Sequence, residues 1–251
     1  MKVFGVCGIK QSGKTTTIEK LVAELCRRGY RVGSVKDIHF EGFAIDTPQS
    51  NTDRHRKAGA GLVTARGMHE TDLLFPKQLS MEEILDFYEK DYDYVVIEGM
   101  ADFPTIVAAH NEEDLVQKFN DFTFCVSGRI AANLTEFRGV PAVNALTDAE
   151  ALADLVEQKV YNRLPSFSSD CCTACGMTCE QFGKAVLHGK ARRDGCVAEK
   201  GVSLTVGGKH VSMVPFVQAV LKNAVLGVVS ELKGYAPGEE IQIIVGEQNA
   251  L

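Results

Sequence analysis

The chain has 251 residues, with 27 basic side chains against 33 acidic ones and a formal net charge of −6. That balance leaves no basic footprint for nucleic acid or an anionic membrane, and no apolar run reaches the roughly 18 residues of a transmembrane helix. The N-terminus turns polar at Gly8 and reads as no secretory leader, so a cytoplasmic protein of one large or two small domains is expected.

Residues 3–6 read as a short buried strand, and a helical pattern follows at once, with Ile18, Leu21, Val22 and Leu25 on one face and Gly29 as its stop. Residues 31–35 form a second strand. The stretch 36–51 is polar, dotted with aromatics and too long for a routine connection. Shorter strand candidates lie at 62–65 and 73–75. Ser80 and Glu83 form a capping box that opens a helix to about residue 90. Residues 94–97 are a buried strand ending at Glu98 and Gly99, and 105–109, 123–127 and 140–143 continue the sheet. Thr147 and Glu150 make a second capping box, opening a helix to about residue 160. Strands alternating with amphipathic helices predict a mainly parallel sheet covered on both faces. A linker at 165–170 and a cysteine segment at 171–200 come next. A hairpin over 202–206 and 209–214 then turns at Gly207-Gly208. A helix from Pro215 to Leu232 stops at Gly234, and 241–245 is a last strand. That helix is apolar on much of its circumference and reads as buried or, alternatively, as a dimer or partner interface.

Residues 8–15 spell Gly-Ile-Lys-Gln-Ser-Gly-Lys-Thr, the full G-x-x-x-x-G-K-T signature of a phosphate-binding loop, set between a strand and a helix. Its glycines let backbone N–H groups converge on phosphate oxygens, and the helix N-terminus adds favourable dipole charge. Gly8, Gln11, Ser12, Gly13, Lys14, Thr15, Thr16 and Gly99 are the candidate nucleotide contacts. Lys14 reaches the terminal phosphates and the Thr15 hydroxyl ligates Mg²⁺. Glu98, at the end of its strand, can hold Mg²⁺ through water or polarise an attacking water, which makes Lys14 and Glu98 the candidate catalytic pair. Within 36–51, Asp37, His39, Glu41 and Asp46 offer further ligands, and Asp46 is the one chosen for the metal or the γ-phosphate. Arg54, Arg56 and Lys57 either meet phosphate or form an exposed helix face. The expected architecture is α/β, a P-loop NTPase domain at 1–165 with a mostly parallel sheet flanked by helices. A small Cys-rich segment at 166–200 and a small ββαβ C-terminal unit at 201–251 complete it. Base choice is poorly encoded: Asn144 and Asp148 lack the intervening Lys of a guanine-reading turn, and Asp148 has a competing place in the first turn of a helix.

Taken together these residues resemble the MobB family, the adaptor GTPases of molybdenum-cofactor guanine-dinucleotide biosynthesis, over about residues 2–164. The resemblance rests on Gly8 to Thr16, Lys36 with His39, Ile45-Asp46-Thr47-Pro48, Arg56-Lys57-Ala58-Gly59-Ala60 and Ile97-Glu98-Gly99. It implies GTP with Mg²⁺, slow hydrolysis by a weak GTPase, and a homodimer. It also implies a partner, a molybdopterin nucleotidyltransferase; another metallocentre maturation protein is the alternative partner, and from charge and hydropathy no nucleic acid and no membrane are expected. Asp37 and Phe40 stand where the family usually has His, Asn51 where Asp is usual, and Ala101 where Lys often follows. The alternatives are a nucleotide-driven metallocentre assembly factor and a redox-sensing protein whose nucleotide site is regulatory.

Of eight cysteines, Cys7, Cys26 and Cys125 sit alone in apolar surroundings and read as buried, inert thiols. Cys172, Cys175, Cys179 and Cys196 give C-x₂-C-x₃-C-x₁₆-C, with Cys171 as a spare. Four thiolates suit a [4Fe–4S] cluster, with structural Zn²⁺ as the alternative. The segment resembles the small four-cysteine iron–sulfur domains of corrinoid and carbon-monoxide metabolism. That resemblance implies a cluster.

Overall fold

The computed structural model describes residues 1–165, 173, 175–196, 202, 204–206, 209–211, 213, 215–236, 241–243 and 245–246. The chain divides into two compact units, Met1–Cys171 with Met177–Arg193, and Cys172–Gly176 with Asp194–Leu251.

The first unit runs β1 (Lys2–Cys7), α1 (Lys14–Arg27), β2 (Val32–Lys36), α2 (Asn51–Lys57), β3 (Val63–Arg66), β4 (Thr71–Leu74), α3 (Met81–Asp86), β5 (Tyr94–Glu98), β6 (Thr105–Ala108), α4 (Glu112–Lys118), β7 (Thr123–Ser127), β8 (Glu136–Phe137), β9 (Val140–Pro141), α5 (Ala149–Lys159) and α6 (Cys179–Leu187). Five strands form a parallel sheet in the order β2-β5-β1-β6-β7. Parallel strands buried on both faces read as continuous apolar runs, as β1, β5 and β6 do. Alternate residues then serve opposite faces. Phe4, Val6, Val96 and Ile106 pack with Leu21 and Leu25 of α1 and Leu152 and Val156 of α5. On the other face Val3, Val95 and Ile97 meet Leu85 of α3, while Cys7, Val107 and Val126 meet Leu115 of α4.

Helices α1 and α5 are also joined through charge. Buried Glu24 accepts hydrogen bonds from Arg27 at 2.7 Å and Arg28 at 2.8 Å, and Arg28 reaches across to Asp154 at 2.7 Å and Glu157 at 2.9 Å. These guanidinium groups pull the Glu24 carboxyl down to about 2.

Several local expectations are corrected. The strands expected near 62–65 and 73–75 do form, and pair with each other, β3 antiparallel to β4, outside the main sheet. Residues 140–143 add only one parallel bridge, Ala142 to Val126, because β9 is taken by β8 in a small hairpin. Helix α3 keeps its capping box at Ser80 but stops at Asp86. Tyr88 then lies against Gly33 and donates to the Ser34 carbonyl at 3.2 Å, a seat over β2 that the turn after Asp86 provides. The helix after Thr147 is capped by Asp148, which accepts from the Ala151 N–H at 3.0 Å.

The second unit contains β10 (Thr205–Val206) paired with β11 (Lys209–His210), and α7 (Pro215–Val229). Gln218 is buried and donates to the Met213 carbonyl at 2.9 Å. Phe216, Val217, Val220 and Val228 of α7 are exposed, so the reading of a buried helix does not hold for that side. Residues 241–243 and 245–246 carry no strand, and residue 244 of the strand expected at 241–245 lies outside the described residues. Among the described residues no helix is long and apolar enough to cross a membrane.

Candidate functional site

The phosphate-loop residues link β1 to α1 at the C-terminal edge of the sheet, where ligands sit in open parallel α/β folds. Gly8 has a positive φ, and a Cβ on it would collide with the Ala108 carbonyl, so the loop passes β6 at backbone contact. Gly13 occupies the N-cap of α1 and supplies no side-chain cap, and the first turn carries no acid. The N–H groups there are left for an anion. Lys14 Nζ rests on the Gly8 carbonyl at 3.1 Å and the Ile9 carbonyl at 2.5 Å, and no carboxylate pairs with it among the described residues. Ser12 Oγ is buried with no partner among the described residues. An orphaned hydroxyl, a cradle too tight for a Cβ and an unpaired ammonium fit a polyphosphate.

A cavity of about 610 Å³ opens over this loop. Gln11, Gly13, Lys14, Thr15, Thr16 and Thr17 line one side, and Gly128, Arg129, Ala132 and residues 144–146 line the other. The second side is held to the first. The Arg129 N–H donates to the Ser12 carbonyl at 3.3 Å, and Thr17 Oγ1 lies 3.3 Å from Ser127 Oγ. Gly128 has φ 81°, and a Cβ there would collide with the Ser12 carbonyl. Sequence reasoning missed Gly128 and Arg129. The available signal was Ser127-Gly128 at the end of a buried strand, the same strand-then-glycine step that opens the phosphate loop.

Glu98 ends β5, beside β1, and Gly99 follows it. Val6 is the register partner of Glu98, and the Gly99 N–H donates to the Val6 carbonyl at 3.1 Å. Lys36 Nζ lies 3.5 Å from the Glu98 carboxylate. Asp46 Oδ1 accepts from the hydroxyls of Ser50 and Thr52, each at 2.8 Å, while Oδ2 is buried without a partner among the described residues. Neither Glu98 nor Asp46 lines the large cavity. His39 Nε2 lies 3.3 Å from Asp37. Arg56 and Lys57 hold buried Asp53 at 2.9 and 2.7 Å, Lys57 contributing most to keeping that carboxyl well below the usual range.

Cys179 and Cys196 are buried and Cys175 is half-buried, while Cys172 lies outside the described residues. Cys179 opens α6 in the first unit, whereas Cys175 and Cys196 belong to the second. Among the described residues no three His, Cys, Asp or Glu side chains are grouped to hold a metal ion. Cys7 and Cys125 are buried, and desolvation pushes their thiols up to about 11 and about 12, which keeps both inert. Cys26, expected to be buried, is exposed.

The sequence pattern of the family described as molybdopterin guanine dinucleotide synthesis protein B, MobB, matches residues 3–121. The Escherichia coli molybdopterin-guanine dinucleotide biosynthesis adapter protein is 29% identical over 157 residues, covering 58% of this chain and 85% of that one. A Methanocaldococcus jannaschii protein that carries the same designation provisionally is 27% identical over 256 residues, 97% of each chain. The crystal structure of Bacillus subtilis MobB superposes with a TM-score of 0.53 at 26% identity, covering 65% of this chain and all of that one.

Proposed function

We propose that the chain is a GTP-binding adaptor of molybdenum-cofactor guanine-dinucleotide biosynthesis, a reading supported by the match of residues 3–121 to the MobB pattern. The observation that carries the reading is the loop-and-cavity pair. An empty amide cradle at the N-terminus of α1 opens into a cavity of about 610 Å³, of the size that holds a nucleotide. The relatives named as adapter proteins supply the pathway.

Thr15, Asp46 and Glu98 are the residues that would hold Mg²⁺, and the ion would neutralise charge on the phosphates and polarise them for attack. Ser12 and the first-turn N–H groups orient the phosphate chain, and Lys14 turns from the carbonyls of Gly8 and Ile9 to the terminal phosphate. Glu98 accepts a proton from, or aligns, an attacking water, while Lys36 steadies its carboxylate. Hydrolysis is slow, as the resemblance to the MobB family implies. Its partner is a molybdopterin nucleotidyltransferase, and the adaptor acts as a homodimer.

The cysteine spacing supports a second part of the reading. Cys172, Cys175, Cys179 and Cys196 hold a [4Fe–4S] cluster, with Zn²⁺ as the competing occupant. Anaerobic purification distinguishes them. A brown protein with about four iron atoms per chain supports the cluster. A colourless, zinc-loaded or metal-free protein contradicts it.

The adaptor role is tested by reconstitution. Adding the chain with GTP to a molybdopterin nucleotidyltransferase is expected to raise guanine-dinucleotide formation, and the two proteins are expected to copurify. An unchanged rate with no association refutes the role.

A further inference from the structure

The end of the cavity away from the phosphate loop is built by two neighbouring chain segments. Arg129 follows β7 directly, and residues 144–146 follow Ala142, which bridges to Val126 of the same strand. Their polar groups form a limited set. Asn144 Oδ1 accepts the Leu146 N–H at 3.0 Å, which fixes the orientation of the amide. Asn144 Nδ2 is left as a donor with no protein partner among the described residues. Asp148 is engaged elsewhere as the cap of α5, and among the described residues no carboxylate lines the cavity. Arg129 pairs with no acid among the described residues, and Leu146 is 66% exposed although it lines the cavity.

A planar ring entering this end meets a guanidinium plane, an aliphatic face and one amide donor. Purines differ in what they offer such a donor. Guanine and hypoxanthine present an oxygen at C6, and adenine presents an amine, which would set donor against donor. Recognition of the guanine 2-amino group calls for an acceptor, and the carboxylate that would serve best is absent from the lining.

We infer that the site selects its base by the C6 oxygen, read by Asn144 Nδ2 with the ring held by Arg129 and Leu146, and that it does not read the 2-amino group. The ligand class is the 6-oxopurine triphosphates, guanine and hypoxanthine alike. This rests on the nucleotide-binding reading above and narrows it.

Calorimetry on the whole protein with Mg²⁺ and GTP, ITP, ATP or inorganic tripolyphosphate tests the inference. GTP and ITP are expected to bind within about threefold of each other, and ATP about tenfold or more weaker. Asn144→Asp keeps the acceptor for the Leu146 N–H and exchanges the free donor for an acceptor. It is expected to weaken GTP and ITP by about tenfold, to leave ATP equal or stronger, and to leave tripolyphosphate unchanged. GTP binding more than about thirtyfold tighter than ITP would show that the 2-amino group is read and would overturn the inference. So would an unchanged GTP-over-ATP ratio in Asn144→Asp, or tripolyphosphate binding with no preference among the nucleotides. Failure of all four ligands to bind the wild-type protein overturns the nucleotide-binding reading itself.

Discussion

Gly128 shows how much of the site depends on single atoms. With φ 81° and the Ser12 carbonyl where a Cβ would go, Gly128→Ala must move either the end of β7 or the phosphate loop. The expected result is a loss of about 1–3 kcal/mol in stability together with weaker nucleotide binding, read by thermal melts and calorimetry. Unchanged melting and unchanged affinity would mean that the two loops are not in contact. Lys14 and Thr15 were legible in the sequence because their signature is contiguous and the chemistry dictates the spacing. Gly128 and Arg129 were not. They reach the loop only because β6 and β7 follow β1 across the sheet, and the Thr17–Ser127 contact joins residues 110 apart. Arg56 and Lys57 looked equally suited to phosphate or solvent and proved to serve buried Asp53, a partner three and four residues back.

Among the elements, α1 and α5 are coupled both by packing and by the Glu24 cluster. Glu24 has its carboxyl lowered from 4.5 to about 2 in the folded chain, with hydrogen bonds from Arg27 and then Arg28 as the main causes. A depressed carboxylate binds fewer protons folded than unfolded, so its contribution is full above 4.5 and is lost as pH falls towards 2. Glu24→Gln is therefore expected to lower the melting temperature at neutral pH and to flatten the decline between those two values. An acid limb as steep as wild type would contradict it. Helix α6 docks on the same core: Leu187 is buried there, His188 Nε2 lies 2.9 Å from the Asp121 carbonyl, and Phe182 is buried. Leu187→Ala is expected to cost about 2–5 kcal/mol in chemical denaturation, and a cost below about 0.5 kcal/mol would mean that the helix is not docked. Periodicity revealed α1, α5 and all five sheet strands, because each buries one or both faces in a regular rhythm. It overextended α3, where the pattern after Asp86 still looks helical and the competing seat of Tyr88 on Gly33 is invisible without the fold.

For the molecule as a whole, the Escherichia coli and Bacillus subtilis proteins match 58% and 65% of this chain. The Methanocaldococcus jannaschii relative aligns over nearly the full length, so the segment beyond residue 165 accompanies the domain in another chain. What the domain does rests on its gripping a purine triphosphate, and the sequence pointed there through one eight-residue signature. The most direct test is calorimetric titration of the intact protein with GTP and Mg²⁺, alongside Lys14→Ala. The account predicts saturable one-to-one binding that Lys14→Ala weakens by about tenfold or more, since a charge-assisted phosphate contact is lost. No binding of any purine triphosphate with the divalent ion present, or undiminished binding by Lys14→Ala, would contradict it.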